Sequence, residues 1–314
     1  MKLITGQRIL CTLGNIGPGF HNMPLKGMRK GYDAYDRWFG SGNQRDVSTT
    51  DLQVTLEANQ IPIRIYRPIN AQPRLTMVYF HGGGYVIGGL ESHHGFCSLL
   101  ASRAAINIVA VDYRLCPESP LPAPILDGLG VWNWVVDQAA ELGFQDTVLG
   151  VGGDSAGGHL AAVLAMQTMD LEEASALKAV PSFQFLLYPW VDMDQQSESL
   201  RLYGKGLLLT EAVVNLFRQS SINRDNQDLV ERISPMAKAD MQGVPDTLLV
   251  TAEYDVLRDQ GLAMAERLKQ AGVNIQHRHL PDCTHGFISM GRFSAATGRR
   301  LEEICTLLRD YGDN

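Results

Sequence analysis

Gly153-Asp154-Ser155-Ala156-Gly157 places a serine at the centre of a G-x-S-x-G pattern, with Gly158 behind it. A serine hydroxyl attacks a carbonyl group when it is exposed beside a base, and a sharp strand-to-helix turn exposes it. Such a turn strains the serine backbone and leaves no room for neighbouring side chains, hence the glycines. The N-terminus of the following helix favours developing negative charge. Alone the pattern is weak, since roughly one chain in five of this length carries it by chance. Context decides: an apolar run enters it and a helical pattern leaves it. A dinucleotide loop does not fit, because Gly150-Val151-Gly152 is followed at the third position by Ser155 where glycine is needed. No GKS or GKT follows either, which excludes a P-loop.

A second window, His81-Gly82-Gly83-Gly84, directly follows the apolar run LTMVYF. Backbone without side chains lets peptide N–H groups point at a carbonyl oxygen as it becomes an oxyanion. Three consecutive glycines cost folding entropy that a plain turn avoids.

The base should be a histidine at the C-terminal edge of the sheet. His277 and His279 lie inside a strand pattern, His159 is one turn into the nucleophile helix, and His21 has no motif around it. His93 and His94 with Cys97 suggest a metal, but no second ligand cluster accompanies them. His285 remains, in a loop just past a strand. For the carboxylate that orients it, Asp255 follows the strand TLLVTA and gives the chain order Ser, Asp, His. Glu253, Asp259 and Asp282 are the other carboxylates nearby; Asp259 is expected to pair with an arginine.

These residues need a frame. Leu52–Glu57 and Ile61–Tyr66 read as a hairpin, and Leu75–Phe80 and Ile106–Asp112 as buried strands with a helix over Phe96–Ala105 between them. Ile125–Leu142 reads as a helix with Trp132, Trp134 and Val135 inward and Gly143 as its stop. Strands follow at Thr147–Val151, Phe183–Leu187, Thr247–Ala252 and Val273–Leu280, alternating with helices at Ala156–Met169, Arg258–Ala271 and Ser294–Tyr311. Antiparallel strands followed by this alternation predict a mostly parallel sheet with helices on both faces. Met1–Ser48 and Asp192–Pro235 break the alternation. The second holds polar loops, DMDQQSES and NRDNQD, around an amphipathic helix capped by Thr210. The expected division is a catalytic core at 49–191 and 236–314, with a cap from 1–48 and 192–235.

HGGG at 81–84, YRLCPE at 113–118, GDSAGG at 153–158, DVLRDQG at 255–261 and HGF at 285–287 together resemble the hormone-sensitive-lipase family of bacterial carboxylesterases, within the α/β-hydrolase superfamily. The resemblance covers roughly residues 75–287. It implies an α/β-hydrolase fold with an eight-stranded sheet, a Ser-Asp-His triad, and a cap from the N-terminus plus an insertion after strand six. It also implies that Gly83 and Gly84 join the N–H of Ala156 as oxyanion donors. Cys116 and Val256 stand where the family often has Ala and Pro.

Composition narrows the rest. The chain has 314 residues, 27 Lys plus Arg against 34 Asp plus Glu, and a net charge of −7 without a basic run, so nucleic acid is not an expected partner. Five cysteines without CxxC spacing make neither a disulfide framework nor a zinc site. The N-terminal segment lacks the apolar core of a signal peptide, and no apolar run is long enough to cross a membrane. A cytoplasmic location without membrane insertion is therefore expected.

The resulting expectation is acyl transfer to water. Ser155 attacks an ester, His285 moves the proton, and Asp255 holds the imidazole. No cofactor or metal is required, and a small-molecule ester is the expected partner, with a homodimer left open. Tyr85, Leu207, Leu208, Leu209 and Phe287 are candidate pocket walls. The resemblance implies short acyl chains. An ordinary imidazole titrates near ~6.5, so activity should fall on acidification. An amidase, lactonase or carbohydrate deacetylase would use the same triad. A non-catalytic small-molecule receptor or regulatory binding protein is the reading from another class.

Overall fold

The computed structural model describes residues 2–16, 19–56, 59–167, 176–194, 196–222 and 228–313. All six residues of β3 (Leu75–Phe80) are buried. A strand apolar on both faces belongs in the middle of a sheet covered on both sides. Its alternate side chains do divide: Val78 and Phe80 enter one core cluster, Leu75, Met77 and Tyr79 the other. Among the described residues, eight strands line up in the order β1-β2-β4-β3-β5-β6-β7-β8. β1 (Val47–Leu56) and β2 (Asn59–Pro68) form the hairpin, and β2 pairs antiparallel with β4 (Asn107–Val111). All pairings from β4 onward through β5 (Val148–Asp154), β6 (Phe183–Leu187), β7 (Asp246–Tyr254) and β8 (Ile275–Thr284) are parallel.

Helices α4 (Ala123–Asp137), α5 (Ala156–Met166) and α9 (Arg258–Gln270) supply Leu129, Leu160 and Met264 to the first core. On the opposite face, α3 (His94–Arg103) and α10 (Ala295–Asp313) supply Leu100 and Ile304. This is the mostly parallel, doubly covered sheet the sequence predicts.

The boundaries differ from the sequence reading in instructive ways. β5 runs on to Asp154 because its glycines are packing residues: a Cβ on Gly150 would strike Phe183, and one on Gly152 would strike Met77. β8 continues through Pro281 to Thr284, which an edge strand tolerates because proline's missing N–H need not face a partner. His285 therefore follows the strand directly. α4 leaves helical geometry at Gln138, and hydrogen-bonded turns carry the chain to Gly143, at φ +72°. Trp134 is only half-buried, whereas Trp132 and Val135 are buried. The predicted ends at residues 57 and 169, and residues 195 and 223–227 of the polar loops, lie outside the described residues.

The segments that broke the alternation lie against the C-terminal side of the sheet. Before β1 come α1 (Thr5–Gly14) and α2 (Leu25–Phe39); between β6 and β7 come α6 (Glu198–Tyr203), α7 (Glu211–Ser221) and α8 (Leu229–Ile233). Thr210 Oγ1 caps α7 by accepting from Val213 N–H. The two segments meet, with Leu208 against Gly14 and Asn15 Nδ2 donating to the Leu207 carbonyl at 3.4 Å. α1 is also bonded into the core. Ile4 N–H donates to the Asp282 carbonyl at 2.9 Å, and the buried Gln7 side chain accepts from Thr284 N–H at 2.8 Å.

Candidate active site

Ser155 stands between the end of β5 and the start of α5 with φ 54° and ψ −118°, a conformation unfavourable for a residue with a side chain. Both its backbone ends are held: its N–H donates to the Leu187 carbonyl at 2.9 Å, and its carbonyl accepts from Trp190 N–H at 3.0 Å. Gly153 and Gly157 are required here, since a Cβ on either would collide with backbone. The serine hydroxyl caps no helix amide.

Instead, Ser155 Oγ lies 3.0 Å from His285 Nε2. The imidazole Nδ1 lies 2.7 Å from Asp255 Oδ2. Asp255, at 1% exposure, receives Leu257 N–H on its other oxygen at 2.8 Å, so its carboxylate cannot rotate freely. Three residues far apart in the chain thus form one hydrogen-bonded relay. His285 is braced by its predecessor, because Thr284 Oγ1 donates to the Tyr254 carbonyl at 3.0 Å while Gln7 holds the Thr284 amide. The Tyr188 ring packs 4.6 Å from the imidazole.

The glycine loop begins where β3 ends. Gly83 and Gly84 adopt φ +116° and +62°, which glycine enters without strain. Their amides have no protein acceptor among the described residues. Ala156 opens α5, where helix geometry leaves the N–H without an intrahelical partner. A Cβ on Gly84 would strike Phe217, which brings α7 down over the loop, and Ser221 Oγ donates to the Gly84 carbonyl at 3.3 Å. His81 faces away from this surface. Its ring stacks on Tyr113 at 4.2 Å, Nδ1 bonds the Gly82 carbonyl at 2.8 Å, and burial with His93 nearby pushes its pKa down to about 3.

The structure places the remaining candidates elsewhere. Glu253 binds Tyr203, Arg258 and His279, while Asp259 pairs with Arg258 and Asp282 with Arg300. His277 bonds Thr251, and His159 bonds Tyr85 at 2.6 Å. His93, His94 and Cys97 do not converge: His93 faces Asp154, His94 faces Tyr66, and Cys97 is buried in the core. Among the described residues no cluster of His, Cys, Asp or Glu could hold a metal ion.

The five candidate pocket walls are not brought together. Tyr85 and Phe287 are fully buried, one in each core cluster, because the positive φ of Tyr85 and the turn at Gly286 swing these rings inward. Leu209 also joins the core, and Leu207 and Leu208 meet the α1 segment. A cavity of about 160 Å³ lies between α6, α7 and the start of α9, lined by Trp190, Met193, Leu200, Val214, Arg218 and Leu257; Ser155, Asp255 and His285 are not among its walls. Leu257 lies in DVLRDQG, but the others just named sit in no motif, so sequence spacing carried no signal for them. Gln7 and Tyr188 were missed for the same reason; Tyr113 opens YRLCPE, whose spacing does not reveal that its ring stacks on His81.

A family model described as the alpha/beta hydrolase fold matches residues 77–289. The chain is 37% identical to an ethyl acetate hydrolase of Pseudomonas putida over 275 residues, covering 87% of this chain and 85% of that one. It is 34% identical to the carboxylic ester hydrolase LipN of Mycobacterium tuberculosis over 272 residues, covering 86% and 72%. The solved structure of ester hydrolase EH1AB1, from the metagenome of Lake Arreo, superposes with a TM-score of 0.91 at 32% identity over 99% of this chain and all of that one. The chain belongs to the α/β-hydrolase family, in its hormone-sensitive-lipase-like branch. It is an enzyme of the carboxylic ester hydrolase class. No described helix is long and apolar enough to cross a membrane.

Proposed function

We propose that this enzyme hydrolyses short-chain acyl esters through an acyl-enzyme formed on Ser155. The Ser155–His285–Asp255 relay carries the reading. His285 Nε2 accepts the hydroxyl proton as Ser155 Oγ bonds to the ester carbonyl carbon, and Asp255 stabilises the imidazolium. The carbonyl oxygen, now negative, is received by the Gly83, Gly84 and Ala156 amides. Collapse breaks the carbon–alkoxy bond, and His285 returns the proton to the leaving alcohol. Water then repeats the steps on the acyl-enzyme, releasing the acid and free Ser155.

One comparison supports small substrates. One relative is named for hydrolysing ethyl acetate. In this reading the segments 1–48 and 192–235 act as a cap, supported by the packing of α7 on the glycine loop.

Hydrolysis of p-nitrophenyl esters from two to sixteen carbons, with Ser155→Ala alongside, tests the proposal. Turnover should peak at short chains and vanish in the variant. Undiminished turnover by Ser155→Ala would remove Ser155 as nucleophile, and a preference for p-nitroanilides would make the enzyme an amidase.

A further inference from the structure

A second carboxylate lies closer to the nucleophile in sequence than Asp255, and the relay does not use it. Asp154 directly precedes Ser155 and is 2% exposed. Its Oδ1 accepts from Tyr79 Oη–H and from Gly82 N–H, both at 2.8 Å, and lies 3.2 Å from His93 Nε2, which the same Gly82 N–H also faces at 3.3 Å; a proton on Nε2 leaves that amide to Oδ1 alone. Its Oδ2 occupies the space a Cβ on Gly82 would need. The carboxylate is therefore wedged under the root of the glycine loop.

A bare negative charge there would oppose the oxyanion forming a few residues away, all the more strongly because the surroundings are dry. Among the described residues, His93 is the cationic group within ion-pair reach of Asp154. Its other nitrogen bonds Ser92 Oγ at 2.9 Å, and the rings of His81, Tyr32 and Tyr79 close around it, with Asp36 as the next carboxylate. We propose that His93 is a positioning residue for ester hydrolysis. As an imidazolium it neutralises Asp154 and pins the Gly82 end of the oxyanion loop. It touches no substrate.

The titration behaviour agrees. Burial alone would raise the Asp154 pKa, but His93 and the hydrogen bonds from Tyr79 and Gly82 hold it below the usual carboxylate range. Burial opposes the charge on His93 too, yet Asp154 and Asp36 keep its pKa above the ordinary imidazole value.

The inference rests on the proposed role of Ser155 and the loop amides, so the experiment separates the two. kcat and KM for p-nitrophenyl butyrate are measured on the full chain for wild type, Ser155→Ala, His93→Gln, Asp154→Asn, the His93→Gln/Asp154→Asn double variant and His94→Gln. His93→Gln should lower kcat about 10–10²-fold with KM within about twofold, because it leaves a buried charge unpaired beside the oxyanion. Inactivation by diethyl p-nitrophenyl phosphate, whose phosphoryl oxygen takes the oxyanion position, should slow in parallel. Asp154→Asn should lose less. The double variant should regain at least about fivefold over His93→Gln, since the unpaired charge is gone. His94→Gln should match wild type.

Wild-type kcat in His93→Gln, or a double variant no better than His93→Gln, overturns the proposal. If His93→Gln does not fold, Asp154→Asn decides: a folded variant that loses about 10²-fold shows that the carboxylate itself is needed, and overturns it too. Turnover by Ser155→Ala would overturn the underlying reading. An inactive Ser155→Ala beside an unaffected His93→Gln overturns this inference alone.

Discussion

Two histidine–aspartate pairs lie on either side of Ser155, and they are unlike. His285 and Asp255 are 2.7 Å apart, and the imidazole keeps a free edge for the serine hydroxyl. His93 and Asp154 are 3.2 Å apart, both nearly inaccessible, and every polar atom of the pair turns toward the loop or the core. The chemistry of the side chains is the same. In the proposed roles, what separates a proton carrier from a brace is which atom the second nitrogen faces: Ser155 Oγ in one pair, Ser92 Oγ in the other. A His–Asp contact by itself therefore identifies no base.

The comparison is broken most directly by asparagine at each aspartate. Asp255→Asn should lower kcat about 10⁴-fold by favouring the wrong imidazole tautomer, whereas Asp154→Asn should lose less than tenfold. Equal losses in steady-state kinetics would erase the distinction between the pairs.

Gly82→Ala sharpens it from the loop side. The added methyl must displace the Asp154 carboxylate, and kcat for p-nitrophenyl butyrate should drop about 10–10²-fold. Retained activity would mean the loop does not depend on that contact.

Gln7 tests the opposite side. Gln7→Ala leaves the buried Thr284 amide without its acceptor, at a cost of about 1–3 kcal/mol in urea unfolding. Activity should fall only severalfold, because Tyr254 still holds Thr284.

The smallest effect concerns Asp36, the second carboxylate near His93. Burial raises its pKa to about 6, against His93 and hydrogen bonds from Ser289 and Gly95 that lower it. The folded state then binds the proton more tightly than the unfolded chain, so its contribution to stability falls as pH rises from about 4 to 6 and stays reduced above that. Asp36→Asn should therefore raise Tm at pH 8, by an amount worth up to about 2 kcal/mol. The gain should shrink toward zero at pH 4, measured by thermal melts across that range.

Much of the site was legible before the fold was known, and the reason is local. A strained elbow and a loop of bare amides can be built only from glycines at fixed offsets, so residues 81–84 and 153–158 announce themselves. The strand–helix alternation was legible because a doubly covered sheet demands uninterrupted apolar strands such as β3 and β6. Side chains serving the site from a distance left no such trace. Gln7 acts across 277 residues on Thr284, and nothing around it in sequence distinguishes it from a surface glutamine.

The candidate walls Tyr85 and Phe287 illustrate the same limit. An aromatic residue beside a motif reads as a pocket wall, but its backbone angles decide whether the ring faces the pocket or the core. His93 is the sharpest case, since proximity to His94 and Cys97 suggested a metal while the fold directs it at Asp154.

Sequence alone pointed to the reaction class and to the nucleophile, base and orienting acid proposed above, because backbone constraints and chain order restrict those positions to few residue types. The tertiary structure decided which carboxylate faces which histidine, where the cavity lies and how α1 and α7 bear on the loop. Those choices depend on contacts between segments far apart in the chain, where burial and direction, and not residue type, set what a side chain can do.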